Sequence, residues 1–244
     1  MDELFKKAAL DIKQSKNIVG LTGAGISVES GIPPFRGKGG VWEKFDPMEY
    51  ATIDAFMSNP SKVWKVLLSA MKDMIEKAKP NDGHNGLFEL EKIGKLKTII
   101  TQNVDGLHQM AGNTDVIEFH GNFVSYTCLK CKNKITYNEI KLDTVPPRCK
   151  CSGIYRPDCI FFGEMIPPEA LWRSKEVSSK CDLMIVIGTS AVVQPASFMP
   201  IIAKNSGAKI IEINPERTPL SGKISDYIIT GGAGEVMRKI LKEL

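Results

Sequence analysis

Apolar runs of four to seven residues recur along this chain with helix-patterned stretches between them, and that alternation constrains the fold more than any other feature. DLMIVIG at 182–188 has almost no polar face, so as a strand it must be covered on both sides, the condition of a central strand in a parallel sheet. Comparable runs begin at Ile18 and cover 96–100, 116–121, 160–163, 208–214 and 227–230. Between them, Leu4, Phe5, Ala8, Ala9 and Ile12 share one face of a helix over 2–16. Asn59 and Pro60 open a helix with Val63, Val66, Leu67, Ala70, Met71, Met74, Ile75 and Ala78 on its apolar side, a set read as packing. A turn at 80–83 leads into a helix carrying Leu87, Leu90 and Ile93 that Gly94 stops, and further helices are predicted at 167–179, 195–205 and 234–244. The pattern argues for an α/β fold, a Rossmann-like doubly wound parallel sheet, into which a helical stretch and a cysteine-bearing segment of zinc-ribbon spacing look inserted as a smaller lobe. The expected division is a Rossmann-type domain from 1–40, 84–121 and 155–244, a helical insertion at 41–83 and a zinc-ribbon module at 122–154.

The run from Ile18 breaks into a glycine turn and a small-residue segment ending at Arg36, which reads as a strand handing over to a helix after Ser27. Gly23 and Gly25 are expected to turn with positive φ and to leave room for a diphosphate against amides at that helix start. The third glycine of a dinucleotide fingerprint is displaced to Gly31, so a glycine-punctuated strand end is the competing reading. GKGG followed by VWEKFDP (37–47) is expected to be a mobile loop with one aromatic anchor. A polar cluster, Thr101, Gln102, Asn103, Asp105 and His108, follows an apolar strand, the place where open α/β sheets bind ligands.

The 32 basic and 28 acidic residues are interspersed, so nucleic acid is not the expected partner. No apolar run approaches a membrane span, and the charged, amphipathic start is no secretory signal, which makes the expected location cytoplasmic. Six cysteines there point to metal ligands or core thiols before disulfides.

Cys128 and Cys131 enclose two residues, and Cys149 and Cys151 enclose one, in a segment too poor in large apolar residues to build its own core. Four thiolates in two knuckles suit one tetrahedral structural zinc. The tight second knuckle leaves two alternatives: Cys159 replacing one ligand, or unliganded thiols. Cys159 and Cys181 otherwise read as small buried side chains. Of three histidines, His84 sits at a helix start where capping or exposure explains it, and His108 falls on the next helix. His120 ends a strand level with the Gln102–Asp105 cluster, either as a general base or as a satisfied core histidine.

GAGIS (23–27), SGIP and FRG (30–37), TQNVDGLH (101–108), HG (120–121), FFGE (161–164), GTS (188–190) and INPE (213–216), in this order, resemble the successive motifs of the sirtuins, NAD-dependent protein-lysine deacylases. The resemblance implies a single-module enzyme with NAD between a Rossmann-type domain and a zinc-bearing lobe. It places Gly23, Ala24, Gly25, Ile26, Ser27, Phe35, Arg36 and Trp42 around ribose, nicotinamide and phosphates. Gln102, Asn103, Val104 and Asp105 would line the nicotinamide pocket, with Gly188, Thr189 and Ser190 on phosphate and ribose, and Asn214, Pro215, Glu216 and Ala233 near the adenosine half. His120 matches the family's general base, with Asn103 beside it. The acetyl-lysine protein would add a strand between Phe162, Gly163 and Glu164 on one side and Val192 and Val193 on the other. The acyl group would end on ADP-ribose.

Two departures stand out. Pro34 replaces an acidic residue that many sirtuins carry, and Leu67 and Ala70 stand where members preferring acidic acyl groups have Tyr and Arg, which implies a preference for uncharged acyl groups. The rival functions for the same residues are an ADP-ribosyltransferase and a non-catalytic NAD- and zinc-binding module.

Overall fold

A computed structural model describes residues 2–37 and 39–244; Met1 and Lys38, the latter within the stretch expected to be mobile, lie outside the described residues. Helix α1 (Asp2–Gln14) feeds β1 (Ile18–Thr22), followed by a 3₁₀ segment (Ala24–Ser30) and four short helices, α2 (Val41–Lys44), α3 (Pro47–Tyr50), α4 (Ile53–Ser58) and α5 (Pro60–Val63). A π-turn (Trp64–Leu68) joins α5 to α6 (Ser69–Lys77), and α7 (Asp82–Lys92), β2 (Leu96–Thr101), α8 (Leu107–Ala111) and β3 (Val116–Glu118) come next. Then follow β4 (Gly121–Cys128), β5 (Lys134–Thr136), β6 (Tyr155–Cys159), α9 (Pro168–Lys180), β7 (Leu183–Ile187), α10 (Met199–Asn205), β8 (Lys209–Asn214), β9 (Tyr227–Thr230) and α11 (Ala233–Lys242).

Six strands form one sheet in the order β3-β2-β1-β7-β8-β9, every pair parallel, so the expected doubly wound sheet is present. All five residues of β1 and of β7 are buried, which is why these runs carry no polar face. Phe5, Ala8, Ala9 and Ile12 of α1, Leu87 and Leu90 of α7, and Val236, Met237 and Ile240 of α11 cover one face. Leu171 and Val177 of α9 and Met199 and Ala203 of α10 cover the other. Each buried aliphatic side chain of this kind contributes roughly 1.5–3 kcal/mol relative to exposure. Among the described residues no helix is long and apolar enough to cross a membrane.

A second, antiparallel sheet has the order β5-β4-β6. Phe123, Tyr126 and Tyr155 on its inner face pack against Phe56 and Trp64, and the Trp64 indole donates to the Tyr155 carbonyl at 2.9 Å.

Five expectations need correction. The strand expected at 160–163 is instead Tyr155–Cys159, whose side chains alternate buried and half-buried because it pairs with β4; return to the parallel sheet therefore comes later than residue 155. Phe162 makes only a single bridge to Thr52. The strand expected at 116–121 stops at Glu118, and Gly121 already opens β4. The helix expected after Ser27 is a 3₁₀ segment that begins at Ala24. Residues 41–47 form a helical turn and enter another rather than a loop. The π-turn advances the helix phase, so Trp64 and Leu68 are buried while Val66 and Ala70 are only half-buried.

Candidate functional site

The winding direction of the main sheet reverses between β1 and β7, and their carboxyl ends open a crevice there. The glycine turn after β1 does not use the expected geometry, since Gly23 has φ −130° and neither it nor Gly25 has a positive φ. The cause is proximity to β7: the Gly23 amide donates to Ile187 O at 3.0 Å and the Gly25 amide to Gly188 O at 2.7 Å. A Cβ on Gly25 would lie 2.6 Å from Gly188 Cα, so the glycines let two backbones touch. Ile26 projects into the core, and its carbonyl accepts from the Asn81 side chain at 2.7 Å.

Beside this turn lies a half-enclosed pocket holding about 420 Å³ of space between atoms, part of it open to solvent. Ala24, Ile32, Pro33, Phe35, Val41 and Val104 make apolar walls, Met71, Met74 and Ile75 of α6 close the back, and Ser27, Asn103 and Asp105 supply polar groups. Those polar groups form one network: the Asn103 side-chain amide donates from Nδ2 to Ser27 Oγ at 3.1 Å, and Ser27 donates to Asp105 Oδ2 at 2.7 Å. Burial raises the Asp105 pKa, against which the Leu107 amide and the Ser27 hydroxyl hold the carboxylate form. His84 accepts at Nδ1 from the Asn81 amide at 3.3 Å, which leaves its other nitrogen protonated and aimed at Ser27 Oγ, 3.4 Å away. So His84 does cap its helix as expected, yet it is fully buried rather than exposed, with its pKa lowered by burial to about 4. His108, lowered to about 3 by burial and by His84, pairs through Nε2 with Thr22 Oγ1 at 2.9 Å. Thr22 reaches Thr101 Oγ1, which accepts from the Asn103 amide, so His108 lies beneath the pocket and not in it.

His120 lies in the turn between β3 and β4, against the end of β2. Its Nδ1 is 3.1 Å from the Gln102 carbonyl oxygen, and because a carbonyl only accepts, Nδ1 carries the proton and Nε2 keeps its lone pair. Burial lowers the His120 pKa, opposed by that carbonyl, so the ring is neutral near pH 7. The Gln102 side chain donates to Thr189 Oγ1 at 3.0 Å, which ties the ends of β2 and β7 together. Arg36 and Ser190 are exposed, Gly188 borders the glycine turn, and Trp42 stacks on Phe35 with centroids 5.3 Å apart. Asn214, Pro215 and Glu216 leave β8 at the same sheet edge, whereas Ala233 packs in the core at the start of α11. The predicted residues are thus brought to one edge, except that Ile26 and Ala233 turn their side chains away from it.

Trp42 also lies 6.2 Å from Phe162, linking the pocket to the predicted peptide cleft. Phe162 uses its own amide and carbonyl on Ala51 and Ile53, both at 2.9 Å. Glu164 is no free substrate contact: Arg156 holds both carboxylate oxygens at 2.8 Å, and the Phe161 amide adds a third bond. Val192 is exposed across the cleft, and Val193 accepts the Ser197 amide.

Cys128, Cys131, Cys149 and Cys151 have their sulfurs within 4.8 Å of one another, with Cys128–Cys151 at 3.6 Å and Cys131–Cys149 at 3.7 Å. Tetrahedral zinc with ~2.3 Å bonds requires sulfur separations of about 3.8 Å, so the donor set fits zinc. Left-handed Lys132 and Ser152 turn the chain after each knuckle, and a Cβ on Gly153 would meet Cys128 Sγ at 2.6 Å. Cys159 lies outside the cluster; burial pushes its pKa, like that of Cys181, up to about 12. Neither substitutes as a ligand.

Sequence reasoning missed Met71, Met74 and Ile75 as pocket wall, and Arg156. The former looked like packing because an apolar pocket and a core demand the same residue types, while Arg156 carried no motif.

A family model described as the Sir2 family matches residues 23–195. The chain is 45% identical to NAD-dependent protein deacylase 1 of Archaeoglobus fulgidus, covering 100% of this chain and 98% of that protein. It is 47% identical to the NAD-dependent protein deacylase of Aquifex aeolicus over 93% of this chain and 95% of that one. Among solved structures, the ADP ribose complex of a mutant Sir2 homologue superposes with a TM-score of 0.92 at 44% identity, covering 97% and 95% of the two chains. A Sir2 homolog–NAD complex does so with 0.88 at 45%, covering 99% and 93%. With an ordered set of motifs on a doubly wound sheet and a four-cysteine module beside it, the chain belongs to the Sir2 family.

Proposed function

We propose that this chain is an NAD-dependent protein-lysine deacetylase of the cytoplasm, converting NAD and acetyl-lysine protein into nicotinamide, O-acetyl-ADP-ribose and deacetylated protein, with His120 as general base. The observation that carries the reading is the His120 Nδ1 hydrogen bond to the Gln102 carbonyl, which leaves Nε2 basic on a ring anchored to the residue next to Asn103. That its relatives are named NAD-dependent deacylases, and that neighbouring structures hold NAD or ADP-ribose, supports the cofactor.

The pocket fits a pyridine carboxamide: apolar walls suit the ring, and Asp105, Asn103 and Ser27 offer acceptors and donors to the amide. When bound, NAD supplies a ribose carbon from which nicotinamide departs and to which the acyl oxygen attaches. Gly23, Ala24, Gly25, Ser27, Phe35, Arg36 and Trp42 cover the ribose, phosphates and nicotinamide, with Ile26 acting through its backbone. Gln102, Asn103, Val104 and Asp105 line the nicotinamide side; Gly188, Thr189 and Ser190 hold phosphate and ribose. Asn214, Pro215 and Glu216, with the Ala233 backbone, take the adenosine half. His120 Nε2 would accept the proton of a ribose hydroxyl, the proton transfer that passage of the acyl group to ADP-ribose requires. Substrate pairs with Gly163, Glu164, Val192 and Val193 through the backbone, beside Phe162. The second sheet with the helices of 41–83 acts as a smaller lobe against the Rossmann-type domain, stapled by one zinc. Leu67 is buried with Val41 and Ala51 and, like Ala70, offers no cation to a carboxylate, which supports acetyl over acidic acyl groups, since an unpaired buried carboxylate costs several kcal/mol.

Incubation with NAD and an acetyl-lysine peptide tests this: nicotinamide and acetylated ADP-ribose are expected in equal amounts. ADP-ribose left on protein would indicate a transferase, and no nicotinamide a binding module.

A further inference from the structure

Strand β8 reads KIIEIN with four consecutive buried positions, so Glu212, 1% exposed, places a carboxylate among isoleucines. A buried carboxylate without partners is strongly unfavourable, and among the described residues no cation pairs with this one. Three hydroxyls donate to it instead: Thr218 Oγ1 to Oε1, and Ser221 Oγ at 2.7 Å and Ser225 Oγ at 3.0 Å to Oε2. The donors are themselves tied together, the Thr218 amide donating to Ser221 Oγ at 2.9 Å and the Leu220 amide to Thr218 Oγ1 at 3.1 Å.

All three hydroxyls belong to residues 215–226, which connect β8 to β9. These strands are parallel neighbours, with Ile211 opposite Tyr227. Parallel strands are normally joined by a helix, whose own backbone bonds hold the crossover rigid. Residues 215–226 contain no helix; turn bonds onto the Thr218 and Leu220 carbonyls shape the connection locally, and buried Leu220 and the Glu212 carboxylate tie it to the sheet. We infer that Glu212 is a positioning residue for the adenosine half of NAD: it touches no ligand, but through Thr218, Ser221 and Ser225 it fixes the connection that starts at Asn214, Pro215 and Glu216. This rests on the assignment of those three residues to the cofactor made above.

A purely structural carboxylate would behave differently: its replacement would lower stability and leave the ligand affinity of the folded protein unchanged. In full-length Glu212→Leu three hydroxyls lose their acceptor, so the melting temperature is expected to fall, while the calorimetric Kd for ADP-ribose, read on protein that is still folded, increases roughly tenfold, as for loss of charge-assisted hydrogen bonds that hold a binding segment. The NAD KM rises with it, whereas kcat and the acetyl-lysine peptide KM stay unchanged. Glu212→Gln, which still offers an acceptor to Thr218, is expected to show a smaller rise, and it carries the test if Glu212→Leu does not fold. Unchanged ADP-ribose affinity in the folded variants, with Asn214→Ala weakened, overturns the positioning role alone. Unchanged affinity in Asn214→Ala, or no ADP-ribose binding by the wild type, overturns the underlying site assignment instead.

Discussion

Because the Gln102 carbonyl can only accept, it selects the Nδ1–H form of His120, and the nitrogen left basic belongs to a ring that burial keeps neutral. His120→Ala is therefore expected to fold and bind NAD while deacetylation falls ~100- to 10,000-fold, the usual contribution of a positioned base. Nicotinamide exchange should fall less, since it precedes the proton transfer. A melting temperature that drops in step with activity would instead mark a core histidine. The pH profile follows from the same bond. A base acts when deprotonated, and burial holds the His120 pKa below the ordinary 6.5, so with His120 as the proposed base activity should be lost only as pH falls beneath that value and stay level through neutrality. A rate still climbing above pH 7 would point to another base. His120 was legible from its place at the end of an apolar run, but its partner was not, because no pattern of side chains announces a backbone carbonyl. Glu164 shows the converse: the FFGE motif marked it as a substrate contact, yet Arg156 takes both carboxylate oxygens, so its side chain shapes the turn and only its backbone is left to face a substrate.

The turn from Phe161 to Glu164 lacks regular secondary structure, and the Arg156–Glu164 pair holds it in place of a strand ladder. Glu164→Gln is expected to raise the peptide KM several-fold at constant NAD KM, because a bidentate charge-assisted pair becomes a single neutral bond. Equal changes in both KM values would mean that the pair stabilises the whole molecule. The elements themselves were largely readable: the runs at 18 and 182 became strands buried at every position, where apolar residues are favoured on both faces, and those at 96, 208 and 227 flank them in the same sheet. Half-buried elements were harder. Strand β6, YRPDC, carries a proline and two charged residues, and it is a strand only because β4 lies beside it. The π-turn defeated a 3.6-residue count at Trp64 and Leu68, since one extra residue per turn rotates every later side chain. Glu212 and its three hydroxyls are separated by six, nine and thirteen positions, so no local rule pairs them.

On the scale of the whole molecule, the four-cysteine site and the two deep histidines hold stability in forms that solution conditions can remove. One zinc per chain is expected, and Cys128→Ser should lose it, lower the melting temperature and raise the peptide KM, because β6 carries Arg156 as well as Tyr155 beside the knuckles. A metal-free wild type with an intact fold would refute the site. His84 and His108 are held neutral, near pKa 4 and 3, whereas the unfolded chain takes up protons below about 6.5. The unfolded state then binds more protons, so stability present above pH 6.5 is lost as pH falls toward 4, by an order of a few kcal/mol for each ring. A melting temperature that is flat from pH 7 to 4.5 would contradict this. The aromatic contacts carry a further consequence for light emission. Trp64 is sealed in the core, Trp172 is 62% exposed, and Trp42 sits between Phe35 and Phe162, the ring beside the proposed cofactor and the ring beside the proposed peptide. Three tryptophans in three surroundings give a composite fluorescence spectrum with a blue component from Trp64 and a red one from Trp172. In Trp172→Phe the red component disappears, and whatever intensity then changes on adding NAD or peptide comes from Trp42, so the protein carries its own optical reporter of the order in which the two ligands arrive.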